Sequence, residues 1–149
     1  MDNNSILDRF ITAQNSKFLG DLSMYSKALS EIKAGKKTSH WMWFIFPQMD
    51  GLGFSEKSKK YSIKSSQEAI AYLQHELLGN RLIDITRAFL SIEEKSATEI
   101  LGRTDALKMR SSMTLFAEVQ SENSLFEEVL QKFYDGEKCE RTLLLLTEK

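Results

Sequence analysis

The sequence predicts an all-α protein, a compact multi-helical single domain over residues 1–149 built from seven to nine short helices. Three observations carry this. A serine followed three residues later by an acid stands before apolar stretches at Ser5/Asp8, Ser65/Glu68, Ser96/Glu99 and Ser124/Glu127. In such a capping box the hydroxyl accepts a free N–H of the first turn and the carboxylate reaches back to the cap residue's own N–H. Apolar residues then recur at steps of three and four, which is one face of a helix. Sustained period-two alternation and Asn-Gly turns are missing, and one proline with seven glycines is too few for a many-turned β fold.

In chain order, Ile6, Leu7, Phe10 and Ile11 make the first face. Leu22, Tyr25, Ala28, Leu29 and Ile32 make the second, with Gly35 as its stop. The stretch 35–65 differs, holding both tryptophans, the only proline and three of the seven glycines. Thr38 or Ser39 is placed to cap a short helix over 40–46 that Pro47 ends. A short buried strand is the competing assignment there, since aromatics and Ile favour strands. Helix is preferred because the hydroxyl caps and the neighbouring helices agree. Asp50-Gly51-Leu52-Gly53 reads as a turn, and 54–64 as a connection of little periodicity, a length more often functional than idle. Ser65 opens a helix with His75 late in it, where a cation favours the helix dipole. Leu78, Leu82, Ile85 and Phe89 form one stripe. Asp105 opens a helix carrying Met109, Met113, Phe116 and Ala117. Leu125, Phe126, Val129, Leu130 and Phe133 form another, closed by Gly136, and 142–146 is a last short helix docked on the core.

The chain is 42% hydrophobic and 28% charged, which fits a globular domain and excludes disordered, collagen-like and coiled-coil classes. A chain of this size buries about two thirds of its unfolded surface, so no staples are needed. The formal net charge of −1 disfavours general nucleic-acid binding, which normally needs a clearly basic domain. The charge is uneven, however. Between Lys33 and Lys64 seven lysines face Asp50 and Glu56, a balance of +5 that leaves −6 elsewhere. Limited nucleic-acid binding by that stretch would show steep salt dependence. One cysteine, Cys139, allows no internal disulfide and fits a reducing compartment. One Cys with His40 and His75 cannot fill a zinc site, so neither metal nor cofactor is expected. The first residues lack signal-peptide form, and apolar runs fall far short of the roughly 20 residues of a membrane helix. A cytoplasmic protein that does not meet a membrane is expected; its oligomeric state is not legible.

Three segments can carry chemistry. On a helix His40 shares a face with Trp43 and Phe44, and an imidazole beside aromatic walls can hold and protonate a planar ring. The competing role of the Trp/Phe set is ordinary core. The basic connection 57–64, with Lys60 and Tyr61, offers ammonium groups and hydroxyls to phosphate, although it lacks the glycine pattern of a phosphate loop. The solvated lysine face is its plain alternative. Lys108, Arg110, Ser111 and Ser112 crowd the start of the Asp105 helix, where backbone N–H groups attract anions. Together these give a candidate site of Ser39, His40 as the proton-moving residue, Trp41, Trp43, Gln48, Lys60, Tyr61, Lys108, Arg110, Ser111 and Ser112. Its expected ligand is an anionic, nucleotide-like small molecule, with binding as the expectation and hydrolysis of an N-glycosidic bond as its extension. The rival is a non-catalytic interaction module that docks a protein on an exposed Trp41–Phe46 patch. No G-x-S-x-G elbow occurs, and Cys139 lies in the charged run 135–141 with no histidine nearby, so a thiol nucleophile is not suggested.

The strings SHWMWFIFPQ (39–48), GLGxS (51–55), YxIxSxxEAxxYL (61–73), LLGxRL (77–82) and KxRSSMTLFA (108–117) together resemble the bacterial family known as domain of unknown function 1810. LDRFIxAQ (7–14) and FxxVLxKFxxG (126–136) extend the likeness to nearly the whole chain. The resemblance implies a small multi-helical α domain and no particular activity. A calpastatin-type inhibitor would need a disordered, repeated composition that this chain lacks. A fainter likeness is to NADAR domains, associated with ADP-ribose and riboflavin-pathway N-glycosides, through Ser39-His40-Trp41 before an aromatic helix and the leucine-rich tail. The acidic and Trp-Gly signature expected near the C-terminus of those domains is absent, so the likeness bears on ligand class alone.

Overall fold

Serine side chains start five of the helices. The structure, a computed structural model, describes residues 3–120 and 124–148. The elements are α1 (Asn3–Asn15), β1 (Lys17–Leu19), β2 (Leu22–Ser23), α2 (Met24–Lys33), α3 (Met42–Ile45), α4 (Glu56–Lys60), α5 (Ser66–Gln74), α6 (Glu76–Leu90), α7 (Ala97–Leu101), α8 (Arg103–Val119), α9 (Leu125–Tyr134) and α10 (Glu140–Glu148). Ser23, Ser55, Ser65, Ser96 and Ser124 accept the N–H three residues on, each cap contributing about 1 kcal/mol. The box is complete at Ser96/Glu99 and Ser124/Glu127. At Ser65 only half of it forms, because the Glu68 carboxylate turns to Arg9 and the Lys64 amide. Ser5 is no cap: α1 is already helical at Asn3.

Ten helices stand among the described residues, one more than expected, for one local reason. The connection 54–64 contains α4, a short helix that buries none of its residues and so shows no apolar period. His75 stands between α5 and α6. It ends α5 and caps α6, with Nδ1 accepting the Leu78 N–H at 3.2 Å. It therefore serves both a helix end, as expected, and a helix start. The two helices pack closely at this corner because residue 79 is glycine, where a Cβ would lie 2.1 Å from the Leu73 carbonyl oxygen. Leu22 belongs to a two-stranded antiparallel ribbon, not to α2.

Helix α8 runs through the centre, with Met109, Met113, Leu115 and Phe116 fully buried, packed against α5, α7, α9 and α10. An aromatic chain crosses the core from α1 to α9. Phe10 meets Tyr72 edge-on at 5.1 Å, Tyr72 meets Phe116 at 5.6 Å, and Phe116 meets Phe126 at 5.6 Å. Each such pair adds about 0.5–1.5 kcal/mol beyond area burial.

Two polar side chains of α1 tie the chain across this core. Buried Gln14 donates to the Phe44 carbonyl at 2.8 Å and to the Tyr72 hydroxyl at 3.1 Å, and its Oε1 accepts from Arg81 at 3.1 Å. Arg9 donates to the Lys60 and Ser62 carbonyls, both at 2.7 Å, to the Ile6 carbonyl, and to Glu68 at 3.1 Å. It thereby fixes the end of α4 against α1. Among the described residues no helix is long and apolar enough to cross a membrane, and no group of three or more His, Cys, Asp or Glu is placed to hold a metal ion.

Candidate functional site

The aromatic segment is positioned by a carboxylate. Glu31 lies on α2, 5% exposed, three residues after buried Ala28. Its Oε1 accepts the Thr38 amide at 2.7 Å, the Ser39 amide at 3.0 Å and the Trp41 indole N–H at 2.9 Å. Its Oε2 accepts the Ser39 hydroxyl at 2.6 Å. Burial pushes the carboxyl up, but the Ser39, Thr38 and Trp41 donors outweigh it and hold the pKa at about 2. The amides expected to start a helix at Thr38 or Ser39 are thus taken by a residue seven or eight positions earlier. Helix α3 is accordingly one short turn over Met42–Ile45, with no side-chain cap.

This arrangement separates the two tryptophans. Trp41 is fully buried. With its N–H on Glu31 and the Lys37 ammonium 5.0 Å from its ring centre, it offers no face to a ligand. Met42, Phe44, Ile45 and Phe46 are buried as well. The exposed Trp41–Phe46 docking patch therefore does not exist, because these side chains are spent on the core. Trp43 alone in the segment is half-buried and aromatic.

Lysines from two other elements converge on Trp43. The Lys57 ammonium of α4 and the Lys108 ammonium of α8 each lie 4.9 Å from the centre of the indole. Lys108 also contacts Asp105 Oδ1 at 3.4 Å, and Asp105 Oδ2 holds the nearly buried Lys37 at 2.7 Å. Three ammonium groups thus face one carboxylate, Lys57 and Lys108 on the Trp43 indole and Lys37 on that of buried Trp41. A crevice behind the ring, lined by Trp43, Gln48, Ser58 and Tyr61, has a volume of about 10 Å³, room for about one water molecule. A ligand at this cluster therefore rests on the outer surface of the ring instead of passing behind it.

The structure brings Trp43 and Lys108 together, with Gln48 and Tyr61 behind them, and disperses the other expected site residues. Gln48 uses its carbonyl to accept the Ile63 N–H at 2.8 Å. Tyr61 packs its ring on Phe44 at 5.4 Å. Lys60 sits exposed on α4, its ammonium 5.3 Å from the Tyr61 ring centre. Ser39 is committed to Glu31. His40 is exposed, and among the described residues no hydrogen bond reaches its ring. Arg110, two residues beyond Lys108, turns to Glu137 at 3.9 Å and lines a different cleft with Cys139 and Arg141. Ser111 faces Cys139 Sγ at 3.3 Å, and Ser112 is sealed in the core. The guanidinium and the indole thus do not share one cavity.

Sequence reasoning missed Glu31 and Lys37 as site-building residues, and within the basic connection 57–64 it singled out Lys60 where the structure brings Lys57. Glu31 carried a signal, because it follows Ala28 and precedes Ile32 on the apolar stripe of α2. An acid at a core-facing position needs buried donors. The lysines carried no such signal, since nothing local distinguishes them from their exposed neighbours.

A family model described as protein of unknown function (DUF1810) matches residues 4–146. No curated protein matches the chain. A similar solved structure is the crystal structure of the conserved hypothetical protein Rv1873 from Mycobacterium tuberculosis. It is 44% identical, its alignment covers 95% of this chain and 96% of that one, and the TM-score is 0.88. With nearly the full length matched, including the aromatic turn and the whole of α8, the chain belongs to the DUF1810 family.

Proposed function

We propose that the protein binds an anionic, nucleotide-like small molecule on the exposed face of Trp43. The observation that supports this is the pair of ammonium groups from α4 and α8, each 4.9 Å from the same half-buried indole. A ring stacked on an indole gains about 1–3 kcal/mol where measured, and lysine serves as a point charge for phosphate. The lysines now lie against the ring, as cations do against an aromatic quadrupole. A ligand ring displaces an ammonium from the face, and the ligand's phosphate then takes that ammonium as its counter-charge. The reading is confined to binding. His40 is the exposed imidazole of the segment, and hydrolysis of an N-glycosidic bond would rest on it alone.

The test is a titration with AMP, ADP-ribose, NAD and inorganic phosphate, followed by tryptophan fluorescence and thermal unfolding. The ring-bearing anions are expected to quench emission. At tenfold excess over Kd they should stabilise the fold by about 1.4 kcal/mol, while phosphate alone does neither. The Lys57→Ala/Lys108→Ala double variant, checked for an unchanged fold by circular dichroism, should lose the response, and His40→Ala should keep it. Wild type that ignores all four compounds at millimolar concentration would end the reading.

A further inference from the structure

The loop between Met49 and Ile63 is fastened at both ends. The two end residues form a parallel bridge, in which the Ile63 N–H donates to the Gln48 carbonyl and the Asp50 N–H to the Ile63 carbonyl, both at 2.8 Å. Arg9 holds the carbonyls of Lys60 and Ser62. Gly51 lies against Leu145 of α10, where a Cβ would come within 3.0 Å of the leucine side chain. Gly53 is pressed on α4, with Ser58 Oγ 2.5 Å from where a Cβ would stand. Backbone groups and glycines thus hold the loop, and its large side chains are left over. Phe54 is 84% exposed, the most exposed large apolar side chain among the described residues. Lys57, Lys59 and Lys60 are exposed and, among the described residues, enter no ion pair.

These side chains adjoin the Trp43 indole. Phe54 follows directly on Gly53, a wall of the crevice behind that ring. Lys57 lies against the ring, and Lys60, three residues on along α4, neighbours Lys57 on the same helix face. Lys108 of α8 reaches the same indole. One ring and one phosphate would leave Phe54 and Lys60 unused. An exposed phenyl ring is unfavourable in water, and like charges at neighbouring helix positions repel. A chain of linked bases and phosphates relieves both. Its bases must be unpaired, because aromatic side chains stack on bases that are free of a duplex. The run must also be short. The stretch from Lys33 to Lys64 carries +5, but the rest of the chain carries −6, which opposes a long polyanion lying across the molecule.

We propose, resting on the reading of Trp43 as a ring-binding surface, that the site takes a short single-stranded run of nucleic acid. One base stacks on Trp43 and a neighbouring base on Phe54. Lys57, Lys60 and Lys108 hold the phosphates.

The experiment is fluorescence anisotropy with an end-labelled oligothymidylate of about eight nucleotides, the matching oligouridylate and a duplex of equal length. AMP and phosphatidylserine vesicles are run beside them. A single strand should bind about tenfold more tightly than AMP, and the better of the two strands names the sugar. Affinity should fall about twentyfold between about 50 and 200 mM salt, the slope of about −2 that three phosphate contacts give on a single strand. Lys60→Ala should flatten that slope by about 0.7. Phe54→Ala and Phe54→Leu should weaken binding about tenfold, the scale of one lost stack, while Phe54→Trp keeps it. Thermal unfolding should be the same in all three, since the side chain is exposed. A strand bound no more tightly than AMP overturns the proposal and leaves the reading of Trp43 standing. Wild type that binds neither ends both. The proposal is also overturned if duplex binds as well as the single strand, or if Phe54→Leu binds like wild type. Capture by the vesicles alone would overturn it too, marking a lipid-facing surface.

Discussion

Replacing Glu31 tests the account of the aromatic turn most directly. Its carboxyl titrates near 2 in the folded protein against an ordinary 4.5. A depressed folded pKa contributes stability that is fully present above the unfolded value and lost as pH falls through the folded one. The difference corresponds to about 3 kcal/mol, disappearing between about pH 4.5 and 2. A count of donors gives a similar figure. Glu31→Ala leaves the fully buried Trp41 N–H without an acceptor, at about 1–3 kcal/mol. The half-buried Ser39 and exposed Thr38 groups regain water and add about 1 kcal/mol together. Urea denaturation of wild type, Glu31→Gln and Glu31→Ala across pH 2–7 would measure both. We expect Glu31→Ala to lose about 3 kcal/mol at pH 7. Glu31→Gln should lose about half as much, since its amide oxygen still accepts, and it should show a flattened acid slope. A Glu31→Gln variant with the acid slope of wild type would refute the assignment of that slope to this carboxylate. Loss of under about 1 kcal/mol in Glu31→Ala would refute the four-donor argument itself.

Gly79→Ala would normally favour a helix by about 1 kcal/mol, but here the new Cβ meets the Leu73 backbone oxygen at 2.1 Å. Net destabilisation of about 2 kcal/mol or more is expected in thermal unfolding, and a gain in stability would show that the α5–α6 corner yields freely. Asp105→Asn should act in two directions. It weakens the hold on nearly buried Lys37, costing about 2 kcal/mol in denaturation, and releases Lys108 from its 3.4 Å contact. Titration of AMP against this variant should give a lower Kd than wild type, and an unchanged or higher Kd would mean that Asp105 does not compete for Lys108.

The legible parts of the fold were those that local chemistry decides. Ser65, Ser96 and Ser124 cap helices because the hydroxyl and the amide it binds are three residues apart. The stripe Leu78, Leu82, Ile85 and Phe89 is buried as its spacing requires. Helix α4 escaped because a helix that buries no face leaves no apolar period, and only its Ser55 cap betrays it. Trp41 and Trp43 were indistinguishable in sequence. Their different fates depend on Glu31, ten residues before Trp41, and on Lys57 and Lys108, which arrive from helices α4 and α8. Arg110 was grouped with Lys108 by adjacency, yet two residues on a helix point about 200° apart, and it faces the Cys139 cleft. Pairing across space is set by the packing angles of whole helices, which the spacing of residues within one helix does not encode.

The Gln14 amide binds the carbonyl at the end of α3, the phenol of α5 and the guanidinium of α6 at once. The turn bearing Trp43 is therefore riveted to three helices and cannot swing as a flap. A molecule landing on that indole meets a backbone already in its final shape and has only lysine side chains to move aside, so its arrival should follow a single kinetic phase whose rate rises linearly with concentration, without a later slow isomerisation.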